Sequence, residues 1–119
     1  MCVAVCCEYN NQNTSQYFNQ QAKAYLPVLT KTGAYKRVTW GRRADETGNL
    51  PVASGLFLED IHQGQWDEFF PKPVKLPVKR FAMLKDNGKM VWFELLAEHL
   101  VQGVVVNFNS ELRCYVVLA

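Results

Sequence analysis

The chain has 119 residues, 49% of them hydrophobic and 20% charged, with a net charge of +2. That is apolar material for a real core and too little charge for disorder, so residues 1–119 read as one domain. No run approaches the roughly 20 apolar residues of a membrane span, and no basic-then-apolar opening marks a secretory leader. The expectation is a cytoplasmic protein with reduced thiols and no membrane contact.

Residues 2–9 alternate loosely and predict a strand, with Val3, Val5 and Cys7 on one side and Cys2, Ala4 and Cys6 on the other. "NNQNTS" breaks it with helix-capping residues. "SQYFNQQAKAY" then puts Phe18, Ala22 and Tyr25 at helical spacing, which predicts one main helix ended by Pro27. "LPVLT", a turn at Thr32-Gly33 and "YKRVTWG" predict a hairpin. Within it Lys36, Val38 and Trp40 share one face, and Tyr35, Arg37 and Thr39 the other. "RRADETGN" is a polar loop. "LPVASGLFL" is a strand weakened by Ser54-Gly55. "EDIHQGQWDEFF" reads as a short helix or as a turn around Gly64, and "PKPVKLP" as extended chain. "VKRFAML" and "MVWFELL" flank Asn87-Gly88, a pair suited to a type I′ turn. "LVQGVVVNF" and "LRCYVVLA" form a last hairpin turning at Asn109-Ser110, and Val104-Val105-Val106 predicts a strand covered on both faces. The sum is an α+β, β-rich domain: a curled antiparallel or mixed sheet, or an open barrel, with one main helix.

Cys2 carries the most specific chemistry. Methionine aminopeptidase removes Met1 when the second residue is small, which leaves an α-amine and a thiol on one residue. The amine condenses with an aldehyde, losing water, and the thiol adds to the imine carbon to close a thiazolidine. With pKa values of about 7.7–8.0 and about 8.5, both groups have reactive fractions near neutral pH. The other reading is a small hydrophobe in a strand. Cys6 and Cys7 are adjacent rather than spaced C-x2-C, and His62 and His99 lie far off, so neither a metal nor a cofactor is expected. No nucleophile elbow, phosphate loop, zinc-protease or dinucleotide motif is present, so a conventional enzyme is not indicated.

The order "MC", amphipathic segment, "YLPVLTKTGAYKRVTWG" and "FLED" resembles the SOS response-associated peptidase (SRAP) family. That family opens Met-Cys-Gly-Arg, closes a strand with "WG", and continues through "NARAET"-like and "GFYEW"-like segments. "MC" and Trp40-Gly41 match by letter, while Val3-Ala4 replaces Gly-Arg. "PVKRFAMLK" and "GKMVWFEL" stand where the "GFYEW" hairpin would, which puts the position of the family's catalytic Glu near Met83. Glu59 matches the Glu of the "NARAET" segment, with Gly55 and Phe57 at its Asn and Arg. The resemblance implies covalent capture of abasic sites in single-stranded DNA through a Cys2 thiazolidine.

Glu59, Glu94 or Glu98 is a stand-in carboxylate, and His62 or His99 a stand-in acid–base group. The first reading of each is a surface residue, and of His99 part of a turn between strands. Single-stranded DNA is held by cations along its backbone and aromatics under its bases. Arg37, Trp40, Arg42 and Arg43 combine both types, and Lys79, Arg80 and Lys85 extend the stripe. The resemblance makes Trp40 the preferred stacking candidate, although a strand Trp by itself reads first as a core residue, and Trp66 and Trp92 read as core more strongly still.

Charge is segregated along the chain. Lys31, Lys36, Arg37, Arg42 and Arg43 form a run without an acid, and Lys72, Lys75, Lys79, Arg80, Lys85 and Lys89 share theirs with Asp86 alone. Glu59, Asp60, Asp67 and Glu68 lie between them. The pattern makes a basic face and an acidic face, or solvated edges and loops. Two functions compete on this evidence. One is an SRAP-like protein that binds single-stranded DNA and captures abasic sites. The other is a catalytically degenerate, phage-type interaction domain, with edge pairing as a route to a homodimer.

Overall fold

A computed structural model of the chain describes residues 2–7, 15–18, 24–94 and 101–118. Among the described residues the β-branched and aromatic stretches form ten strands. They are β1 (Cys2–Cys7), β2 (Ser15–Phe18), β3 (Tyr25–Leu29), β4 (Tyr35–Trp40) and β5 (Gly55–Phe57). The rest are β6 (Lys72–Leu76), β7 (Val78–Leu84), β8 (Met90–Glu94), β9 (Val101–Phe108) and β10 (Glu111–Leu118). The helical elements among the described residues are α1 (Leu58–His62) and a 3-10 turn at Asp67–Phe69.

The strands make a closed barrel and a second sheet. β4, β3, β6, β9 and β10 are neighbours in that order, and β10 returns to β4 in parallel, pairing Arg113 with Thr39 and Cys114 with Trp40. The five-stranded ring is therefore mixed, as expected, and closed rather than open. β5 adds to β10 in parallel, with Gly55 opposite Val116. The second sheet, β2-β1-β7-β8, is antiparallel throughout. The chain passes between the sheets at Pro77, which has no N–H to continue a ladder and is fully buried.

Two apolar clusters hold these layers. Leu26, Val38, Trp40, Cys114 and Val116 of the barrel share a core with Val5, Cys7 and Val78 of the second sheet. On the other face of β9 and β10, Val104, Val106 and Tyr115 pack with Leu50, Leu56, Trp66 and Phe69. Val105 turns to the first cluster, so β9 is covered on both faces. The radius of gyration is 13.8 Å, against about 13.5 Å for one folded unit of this length. No helix among the described residues is long and apolar enough to cross a membrane.

Three local expectations are corrected. Ser15–Phe18 is a strand on β1, with Ala4 opposite Phe18, and Tyr25 begins β3, so the main helix expected over residues 15–25 does not form at either end. Residues 19–23 lie outside the described residues. Three aromatic or alanine residues at helical spacing were outweighed by a partner strand, because sheet pairing rests on cross-strand neighbours rather than on period alone. Pro27 ends no helix and sits inside β3. The Trp40 N–H donates to Ala24 O, so strict alternation makes Pro27 and Arg37 a non-hydrogen-bonded pair. The proline nitrogen thus faces the β6 side, where β3 pairs only through Leu29 and Lys75.

The third correction concerns turns. Gly88 has φ 79° and Asn87 is not in the positive region, so Asn87-Gly88 is not type I′. The Gly88 N–H donates to Lys85 O and the Lys85 N–H to Lys89 O, a three-residue loop that ends in a left-handed glycine. Gly33 repeats it, with Gly33 N–H to Thr30 O and Thr30 N–H to Ala34 O. The two-residue type I′ geometry belongs instead to Asn109 (φ 50°) and Ser110 (φ 67°), between the paired Phe108 and Glu111.

Candidate functional site

The residues singled out around "TWGRR" are bound into the scaffold. Trp40 is 1% exposed and its indole N–H donates to Ser54 O at 2.9 Å. A base cannot stack on a ring enclosed in this way, so Trp40 belongs to the core. Gly41 has φ +54°, and a Cβ there would lie 2.1 Å from Ala53 O. Only glycine fits, which gives "WG" a structural reason in this chain. Arg42 forks two loop carbonyls, Leu50 O and Glu46 O, both at 2.8 Å. The Arg43 guanidinium lies 3.4 Å from Glu46 Oε1 and 3.5 Å from Asp45 Oδ1. Arg113 closes the set on Gly41 O at 2.8 Å and Glu46 Oε2 at 2.9 Å. Burial works to raise the Glu46 carboxyl. The Arg43 N–H and the Arg113 guanidinium outweigh it and hold the group below its ordinary value. Arg42 and Arg43 are therefore committed to folding the loop, while Arg37 is exposed on β4, 4.6 Å over the Tyr25 ring.

The second sheet carries the other candidates. Cys2 is a backbone member of β1, opposite Met83 of β7; its side chain lies outside the described residues. Cys6 is opposite Arg80, and Arg80 is opposite Glu94. The Arg80 guanidinium donates to Cys6 Sγ at 3.4 Å and lies 5.6 Å over the Trp92 ring. Trp92, expected in the core, is half-buried beside that cation. A partly buried indole with a guanidinium over it is the pairing of ring and cation expected at Trp40, on a different strand. Alternation carried no sign of this, since it does not say which face of β8 is covered.

Glu59 does not join this group. It is exposed on α1, beside β5 of the other sheet, and accepts from Gln63 Nε2 at 3.2 Å. His62 is exposed at the end of the same helix. Glu98 and His99 lie outside the described residues. Cys6, Cys7 and Cys114 are free and buried, and burial pushes the Cys114 thiol up to about 12. Cys7 joins the barrel core while Cys6 meets Arg80 on the opposite face, so the adjacent pair shares no ligand site. The two basic runs do converge, through lysines rather than the chosen arginines. Lys31, Lys36, Lys72 and Lys75 all line one open cavity at the barrel mouth. Comparison with protein-family models, curated proteins and solved structures finds no match.

Proposed function

We propose that the protein binds single-stranded DNA and captures abasic sites through Cys2, as a divergent relative of the SRAP family acting in the cytoplasm. What carries this reading is the pairing of Cys2 with Met83. The resemblance assigns the neighbourhood of Met83 to an acid–base Glu, and the β1–β7 register sets that residue directly across from the candidate nucleophile. Arg80 of β7 and Trp92 of β8 supply one cation and one partly buried ring on the face of the sheet that carries Cys6, whereas the Met83 side chain packs on the barrel-core face. In the reaction the α-amine of processed Cys2 attacks the ring-opened sugar aldehyde and releases water. The thiolate then adds to the imine carbon. A thioether at Met83 moves no proton, so capture is slower than with a carboxyl there, by about 10²-fold or more.

A second reading, a non-catalytic interaction domain, is favoured by the free edge of β8. Among the described residues β8 is the last strand of its sheet, with Met90 and Phe93 exposed. Such an edge recruits a partner strand or a second copy. The two readings separate in one experiment. Protein whose loss of Met1 is verified by mass is incubated with a single-stranded oligonucleotide bearing one abasic site. A heat-stable adduct that disappears in Cys2→Ala and falls strongly in Cys2→Ser supports capture. An adduct unchanged in Cys2→Ala, or retention of Met1, overturns it. Salt-dependent binding without an adduct leaves DNA binding and removes the chemistry; no binding at all leaves the interaction domain.

A further inference from the structure

We propose that the barrel mouth is a binding site for an anionic amphiphile, a small molecule with an extended apolar body and one anionic head. The cavity there is about 700 Å³, within the usual range for small-molecule sites. Its wall is apolar: Val28, Val38, Val74, Val105 and Leu112. The first four belong to the barrel core or pack on it, so the pocket is a continuation of that core opened to solvent. Leu112 is 39% exposed at its edge and extends the apolar wall to the surface.

Among the described residues the charge at the rim is of one sign: Lys31, Lys36, Lys72 and Lys75 line the cavity and no carboxylate does. Among the described residues none of the four lysines makes an ion pair. Their placement follows from strand alternation. Lys36 stands two residues before Val38, and Lys72 two before Val74, so each shares the face of a core valine at the start of its strand. Lys36 is opposite Val28 and Lys72 opposite Val105, which sets both stems against the apolar wall. Lys75 is opposite Leu29 in the one pairing between β3 and β6, so the ladder here is short and the wall is open.

An apolar wall alone takes an uncharged ligand, and a lysine rim alone takes an inorganic anion or a nucleic acid backbone. Both together fit a tail in the mouth and an anion among the ammonium groups. A fatty carboxylate and a single-chain phosphate ester share that chemistry. The site uses no residue of the Cys2 face, so it stands or falls independently of abasic-site capture.

Titration calorimetry tests it with monomeric octanoate, decanoate and dodecanoate, with dodecyl phosphate, and with dodecyltrimethylammonium. The anions bind, and affinity rises with chain length by up to about fourfold per methylene. Carboxylate against phosphate at equal chain length identifies the preferred head. Lys36→Met with Lys72→Met keeps the stems and weakens dodecanoate at least tenfold. Leu112→Asp, a change at an exposed position, does the same, while Lys85→Met with Lys89→Met in the β7–β8 loop leaves it unchanged. Equal binding of the cationic amphiphile overturns the proposal, as does affinity independent of chain length. Inorganic phosphate or a single-stranded oligonucleotide that displaces dodecanoate completely and loses its own binding in Lys36→Met/Lys72→Met also overturns it, in favour of a plain polyanion site.

Discussion

Glu46 accepts from the Arg43 N–H at 2.9 Å and from the Arg113 guanidinium at 2.9 Å, and so ties the loop after β4 to β10. Its carboxyl is held below the ordinary value of 4.5, so the unfolded chain binds a proton at this site before the folded one does. The stability it lends is complete above that value and is lost as pH falls through the lowered one. Urea midpoints between pH 6 and pH 3 should therefore drop more steeply in the native chain than in Glu46→Gln. Parallel profiles would show that Glu46 contributes nothing pH-dependent. The same loop explains what could be read of the site residues and what could not. Arginines and a tryptophan within seven positions are visible in a sequence. That Arg42 and Arg43 spend their donors on Leu50, Glu46 and Asp45, and Trp40 its N–H on Ser54, depends on partners up to fourteen residues away.

Hairpins were the most legible elements, because a turn and two alternating flanks lie within one short window. β3–β4, β7–β8 and β9–β10 all form where their turn residues stand. The turn types were less legible, since Asn-Gly suits both a two-residue loop and a longer one ending in glycine. β2 was illegible: its pairing with β1 is written in β1 as much as in itself. The β9–β10 turn carries a cost that can be relieved. Ser110 holds φ 67°, a conformation that disfavours a residue with a Cβ. Ser110→Gly should stabilise the protein by about 0.5–1 kcal/mol, read as a rise of about 2–5 °C in Tm. A fall in Tm would mean that the seryl side chain makes a contact worth more than the strain.

At the scale of the whole molecule, the two sheets share one core that encloses Cys7 and Cys114, and Cys6 is buried on the other face of the second sheet, so three of the four cysteines are buried. An aromatic disulfide reagent should titrate at most one thiol in the native protein, that of Cys2, and all four in denaturant. Rapid native reaction of two or more would mean that the barrel or the second sheet opens readily. Barrel closure itself was not legible. It rests on β10 lying parallel to β4, and parallel partners carry no turn signal between them. The lysine mouth was legible only in part: both basic runs stand out in the sequence, but their meeting depends on the ring.

The Arg113–Gly41 and Arg80–Cys6 bonds join residues 72 and 74 positions apart. Each closes a long loop whose entropy is surrendered before the contact rewards it. The three hairpins form locally and quickly, yet none buries enough surface to persist alone. Folding should therefore wait on these two remote closures, proceeding in milliseconds to seconds rather than microseconds, with the sheets appearing and melting in a single step.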